Sequence, residues 1–224
     1  MQFQKSTFQF LEELSNNNDR DWFTENKNVY NDSLQNAKDV FSVIHDNLNM
    51  HDDIEKQKIY RIYRDVRFSK DKTPYNPRFA TSFSRGGAHL RGGYFLQIKP
   101  NETMLGGGFW QPEKDDLLRI RKEFEYDDEE IRDILAAPDF KKYFGGVLDG
   151  EELKTAPKGF DKNHPSIDLI RKKGFIATRT FSNKEVLSAN FVAEIDLSFK
   201  ALRPFFDLMS NVLTTNLNGE SLID

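Results

Sequence analysis

Between Arg61 and Phe79 the chain reads RIYRDVRFSKDKTPYNPRF, with Arg61, Arg64, Arg67, Lys70, Lys72 and Arg78 set among tyrosine, phenylalanine and turn-forming residues. Cations of this density suit recognition of a phosphate or carboxylate: lysine acts as a point charge and arginine as a bidentate fork. From Lys58 to Arg91 nine Lys or Arg stand against Asp65 and Asp71, a local excess of +7 in a chain of net charge −4. The remaining residues therefore carry −11. That asymmetry favours a local anion-binding surface over a nucleic-acid coat, which usually makes a whole domain basic. The expected ligand-binding residues are Arg61, Arg64, Arg67, Lys70, Lys72 and Tyr75. The structural alternative for the same stretch is a solvated edge on which Arg64 or Arg67 pairs with Asp65 and Asp71.

Three further constellations could do chemistry. Trp110 follows Gly106, Gly107 and Gly108, and is either a stacking platform on a ligand-facing strand or the neighbour of a tightly packed bulge. The segment lacks the lysine and hydroxyl residue of a phosphate-cradling loop, and it does not open a helix. His164 is either a helix-terminal residue or a general acid/base, and with Tyr75 and Lys70 it completes the candidate proton carriers. His164 and Asp168 are four apart, but one such pair makes no metal site. Arg20 and Trp22 sit in NNNDRDWF, either a capped turn over a buried indole or a helix terminus open to an anion.

The elements that position these residues follow from periodicity. Ser6 with Gln9 has the form of a capping box ahead of a short helix carrying Phe8, Leu11 and Leu14. Asn18 or Asp19 then caps one long helix, with apolar residues from Trp22 to Leu48 at three-to-four-residue spacing. Lys58 to Arg64 alternates as a strand, with Ile59, Arg61 and Tyr63 on one face and Tyr60, Ile62 and Arg64 on the other. Strands are also predicted around Phe79–Ser84, Tyr94–Ile98, Thr103–Trp110, Val147–Lys154 and Phe175–Phe181. Helices are predicted over Leu117–Phe124, Glu130–Ala136, from Pro138, and from Pro165 to a C-terminal Gly174. Ser182 and Glu185 form another capping box, and a last helix runs from about Phe191 to Leu213 with a kink at Pro204.

The order of elements predicts an α+β fold, with a mostly antiparallel central sheet flanked by long N-terminal and C-terminal helices. One domain over residues 1–224 is expected, since no repeat or linker interrupts the chain. The 20 phenylalanines forecast an aromatic core. With no cysteine, thiolate metal sites, disulfides and cysteine nucleophiles are excluded, and a cytoplasmic location is the default. No apolar run approaches the roughly 18 residues of a membrane span, and the N-terminus lacks a signal-peptide core.

The stretches FLEELSNNNDRDWFTENKNVY, RIYRDVRFSKDKTPYN, GGYFLQIKPNETMLGGGFWQP and HPSIDLIRKKGF occur in that order. Together they resemble the bacterial and fungal family catalogued as domain of unknown function 2461. The resemblance implies a single domain of about this length and no particular activity. Function is thus expected from the residues alone: a small anionic, phosphate-bearing ligand in a basic pocket, used for binding or for catalysis without a metal. No cofactor and no metal site are expected. The alternatives are a nucleic-acid-binding module, whose bases would stack on Tyr60, Tyr63, Phe68 or Tyr75, and a protein-interaction surface.

Overall fold

The computed structural model describes residues 1–223. It is an α+β protein with a five-stranded antiparallel sheet in the order β1-β2-β3-β4-β5. The strands are β1 Ile54–Ile59, β2 Phe79–Arg85, β3 Gly93–Ile98, β4 Thr103–Phe109 and β5 Phe175–Phe181. Helices α1 Lys5–Asn16, α2 Arg20–Glu25 and α3 Lys27–Asn49 precede the sheet. Helices α4 Lys114–Tyr126, α5 Glu129–Ala136, α6 Pro138–Phe144 and α7 Ile167–Ile170 separate β4 from β5, and α8 Asn183–Val186 and α9 Phe191–Thr214 follow it. The described residues group into two compact units. The first holds Met1–Phe83, Phe95–Leu105 and Thr180–Leu197, and the second holds Ser84–Tyr94, Gly106–Arg179 and, among the described residues, 198–223.

In the first unit α1 starts at Lys5, so Ser6 falls inside the first turn rather than at the cap, and the Ser6–Gln9 capping box does not form. The end is closed from α3 instead. The Gln4 amide and the Thr7 hydroxyl donate to Asn36 Oδ1 at 3.0 and 2.8 Å, while Asn36 Nδ2 donates to the Gln2 carbonyl at 3.2 Å. Asp19 caps α2 as expected, its carboxylate accepting from the Trp22 amide at 2.9 Å. The long helix from Trp22 to Leu48 is in fact α2 and α3. They divide at Asn26, where the backbone leaves helical geometry at φ −99° and ψ 19° and Asn26 Nδ2 donates to the Trp22 carbonyl.

The largest shift from the expected pattern is β1. The Lys58–Arg64 alternation predicts a strand there, but pairing begins at Ile54 and ends at Ile59. The Tyr60 amide still donates to Ala80 O at 2.9 Å, and β2 begins only at Phe79, so no strand remains for residues 61–64 to join. The chain turns out instead into a loop closed by an antiparallel bridge between Tyr63 and Tyr75. Asn18 holds the returning arm by acting as a surrogate strand. Its Nδ2 donates to Tyr75 O at 3.0 Å and its Oδ1 accepts from the Tyr75 amide at 3.1 Å. Phe10 is the hub beneath these elements, with Trp22, Phe23, Tyr30 and Phe79 at centroid distances of 5.9 to 6.5 Å.

In the second unit Tyr94, Phe199, Phe205, Phe206 and Phe124 are fully buried, and α9 runs as one helix through Pro204. The three glycines of β4 are explained by packing. A Cβ on Gly107 would lie 2.7 Å from the Leu202 side chain, and one on Gly108, at φ +138°, would lie 2.2 Å from Phe175 O. Two expectations fail here. Val147–Lys154 makes only isolated bridges, Asp149 to Ile176 and Glu152 to Lys172, on either side of Gly150 at φ +128°. The helix expected from Pro165 to Gly174 shortens to Ile167–Ile170, and Gly174 is no helix cap but packs under the Trp110 carbonyl.

Candidate functional site

Helix α2, the start of α3 and the Tyr63–Tyr75 loop enclose a pocket of about 600 Å³ in the first unit. It is lined by Arg20, Phe23, Thr24, Lys27, Tyr63, Arg64, Val66, Pro74 and Tyr75. Arg20, Thr24 and Lys27 arrive from one helical side because their spacings of four and three residues bring them into line even across the break at Asn26. Phe23 stacks on Tyr75 at 4.0 Å between centroids with 16° between planes, and Tyr63 packs edge-on against Phe23 at 5.7 Å. The lining thus combines three cations, Arg20, Lys27 and Arg64, with three aromatic rings, Phe23, Tyr63 and Tyr75.

Lys27 Nζ donates to the Tyr63 hydroxyl at 2.7 Å and lies 4.9, 4.7 and 5.4 Å from the ring centroids of Phe23, Tyr30 and Tyr63. Lysine has no acceptor, so Tyr63 Oη must accept this bond and its own O–H is free to donate elsewhere. Neither Lys27 nor Arg20 forms an ion pair with a carboxylate among the described residues. Arg64 is fixed from one side: its Nη1 donates to Asp71 Oδ2 at 2.6 Å and to the Thr73 hydroxyl. Its backbone amide donates to Pro74 O at 2.9 Å. The Thr73 amide, the Arg64 guanidinium and the Thr73 hydroxyl, in that order, depress the Asp71 carboxyl to about 2. Burial, and then the neighbouring Tyr63, push the phenols of Tyr30 and Tyr75 above their ordinary values. Tyr75, 6% exposed, is therefore a neutral wall at physiological pH.

Of the expected ligand-binding residues Arg64 and Tyr75 line this pocket, together with Arg20 of the NNNDRDWF segment and Tyr63 of the stacking alternative. Arg67 instead closes on Asp65 through two bonds, at 3.0 and 2.6 Å, the salt-bridge alternative for that pair. Lys72 Nζ donates to the Val66 and Arg67 carbonyls at 2.9 and 3.4 Å, stapling the loop. Arg61 and Lys70 are exposed. Phe68, at the loop tip, is 96% exposed. Trp110 and His164 belong to the second unit. Trp110 is 71% exposed and lines a cleft of about 290 Å³ with Gln111, Glu151 and Lys173. His164 Nδ1 accepts from the Ser166 amide at 3.2 Å just ahead of α7, and Asp168 turns to Arg132 at 2.6 and 2.7 Å. The +7 excess is also smaller than a local count implies. Arg85 pairs with Asp207 at 2.7 Å and Arg91 with Asp116, both acids lying outside the segment.

Arg20 lies in the segment with two readings, a capped turn or a helix terminus open to an anion, while Lys27, Phe23 and Thr24 have no counterpart among the residues expected to bind. The signal that finds them is the Arg20–Thr24–Lys27 line of polar residues on an otherwise apolar-patterned helix.

An α+β meander carrying a pocket lined by cations and aromatic rings defines the structural class. Within it, the chain belongs to the family described as conserved hypothetical protein (DUF2461), which matches residues 6–208. No curated protein and no solved structure matches the chain.

Proposed function

We propose that the protein binds a small anionic, phosphate-bearing ligand in the pocket framed by Arg20, Lys27 and Arg64. The observation that carries this reading is Lys27. Its ammonium is held at 2.7 Å by the Tyr63 hydroxyl and lies against three rings, with no carboxylate paired to it among the described residues. A cation beside aromatic rather than aqueous surroundings attracts an anion more strongly than one in bulk water, and charge-assisted hydrogen bonds to phosphate are the strong ones. Arg64, immobilised by Asp71 and Thr73, contributes a guanidinium whose orientation is set before a ligand arrives. The cysteine-free composition suits the cytoplasm, where phosphate esters are plentiful.

A thermal-shift screen of inorganic phosphate, pyrophosphate, sugar phosphates and nucleotides tests the proposal. At 100-fold excess over Kd a ligand stabilises the folded state by about 2.7 kcal/mol, a readily measured rise in Tm. The expected result is at least one such ligand, lost in the Lys27→Ala, Arg64→Ala double variant. A Tm unmoved by every anion contradicts it. Phe68, exposed beside Arg67 at the loop tip, supports the second reading, a nucleic-acid-binding surface. Ionic strength separates the two: a single bound phosphate gives a log–log slope near 1, whereas tracking along a strand gives a several-fold steeper one.

A further inference from the structure

The geometry points to a ligand that joins its phosphate to a flat aromatic body, of the class of nucleoside monophosphates and aryl phosphates. This inference rests on the anion-binding reading above and narrows it.

A pocket of about 600 Å³ lies in the range that accepts molecules of drug-like size, well beyond a bare phosphate ion. Its cations are Arg20 and Lys27 from the helices and Arg64 from the loop, three charges suited to one anionic group. What faces the rest of the ligand is Phe23, Tyr63 and Tyr75, with Val66 and Pro74. A simple sugar phosphate ends in hydroxyls for which these ring walls offer few partners, whereas a ligand that ends in a planar ring can stack there even where a ribose joins that ring to its phosphate. A planar apolar body loses nothing there. Phe23 and Tyr75 are nearly parallel and buried against each other, which makes them a rigid backing. Tyr63 packs on both and remains 43% exposed, so its ring is the surface left for stacking. Lys27 then links the two parts of the site. Its ammonium bonds Tyr63 Oη at 2.7 Å, which fixes the stacking ring beside the charge that meets the phosphate.

Isothermal titration of the full chain with five probes tests this: inorganic phosphate, ribose 5-phosphate, adenosine, phenyl phosphate and AMP. The expected result is that AMP, phenyl phosphate or both bind at least about tenfold more tightly than ribose 5-phosphate and phosphate, the scale of one stacking contact. AMP ahead of phenyl phosphate assigns a nucleotide, and the reverse an aryl phosphate. Tyr63→Ala should erase the gap, read as the ratio of phenyl phosphate to inorganic phosphate affinity within that variant, because losing the Lys27 partner weakens both probes; Tyr63→Phe, which keeps the ring, should preserve most of that ratio. Equal affinity for all the phosphate-bearing probes overturns the aromatic-body inference and leaves the anion site standing. No binding by any of them removes both. A gap that survives Tyr63→Ala in a variant of unchanged Tm also overturns it, since the preference would then arise elsewhere.

Discussion

Asp71 is exposed, yet its carboxyl is held at about 2 by the Thr73 amide, the Arg64 guanidinium and the Thr73 hydroxyl. A depressed carboxyl supports its contacts above the ordinary carboxylate range and loses them as pH falls through the folded value. The tether on Arg64 therefore holds from pH 5 to 8, and anion affinity over that range should not follow Asp71. Asp71→Asn should leave Tm within about a degree, as for other exposed pairs, while loosening Arg64 and weakening phosphate binding about three- to tenfold in calorimetry. Lys27→Met, which keeps the aliphatic stem against Phe23 and Tyr30 but removes the charge, should weaken it about tenfold or more. An affinity in Lys27→Met equal to wild type would contradict the role given to the ammonium.

The pocket exists because α2, α3 and the Tyr63–Tyr75 loop are held on one aromatic cluster. Phe10 is 1% exposed and meets four rings, so Phe10→Ala should cost about 3–5 kcal/mol in urea unfolding. Asp19→Ala removes the α2 cap and should cost about 1 kcal/mol by the same measurement. At this scale legibility depended on distance along the chain. Strands β2 to β5 and helices α4, α5, α6 and α9 follow from patterns contained within each segment, and the Ser182–Glu185 box forms as its spacing implies. The α1 cap does not, because Asn36 supplies it from another helix. Nor does the end of β1, because alternation persists to Arg64 while pairing depends on where β2 begins. The pocket itself was half legible. The basic loop pointed to Arg64 and Tyr75, but Lys27 enters from a helix 36 residues before its partner Tyr63.

Over the whole chain, a net charge of −4 coexists with the basic segment because acids distant in sequence return to it, Asp207 to Arg85 and Asp116 to Arg91. Charge counted in a window thus overstates what a ligand would meet. Close packing sets the other limit. Gly108 has φ +138° and no room for a Cβ beside Phe175 O, so Gly108→Ala should cost about 2 kcal/mol or more, read as a lower urea midpoint at unchanged slope. That substitution lies in the second unit, and an intact pocket in the first should still bind its anion. The direct measurement is calorimetric titration of phenyl phosphate and AMP into wild type and the Lys27→Met, Arg64→Gln double variant. One saturable site in the wild type, absent from a folded double variant, is the expected result. Equal heats in the two proteins, or none in the wild type, would contradict a phosphate site at Arg20, Lys27 and Arg64.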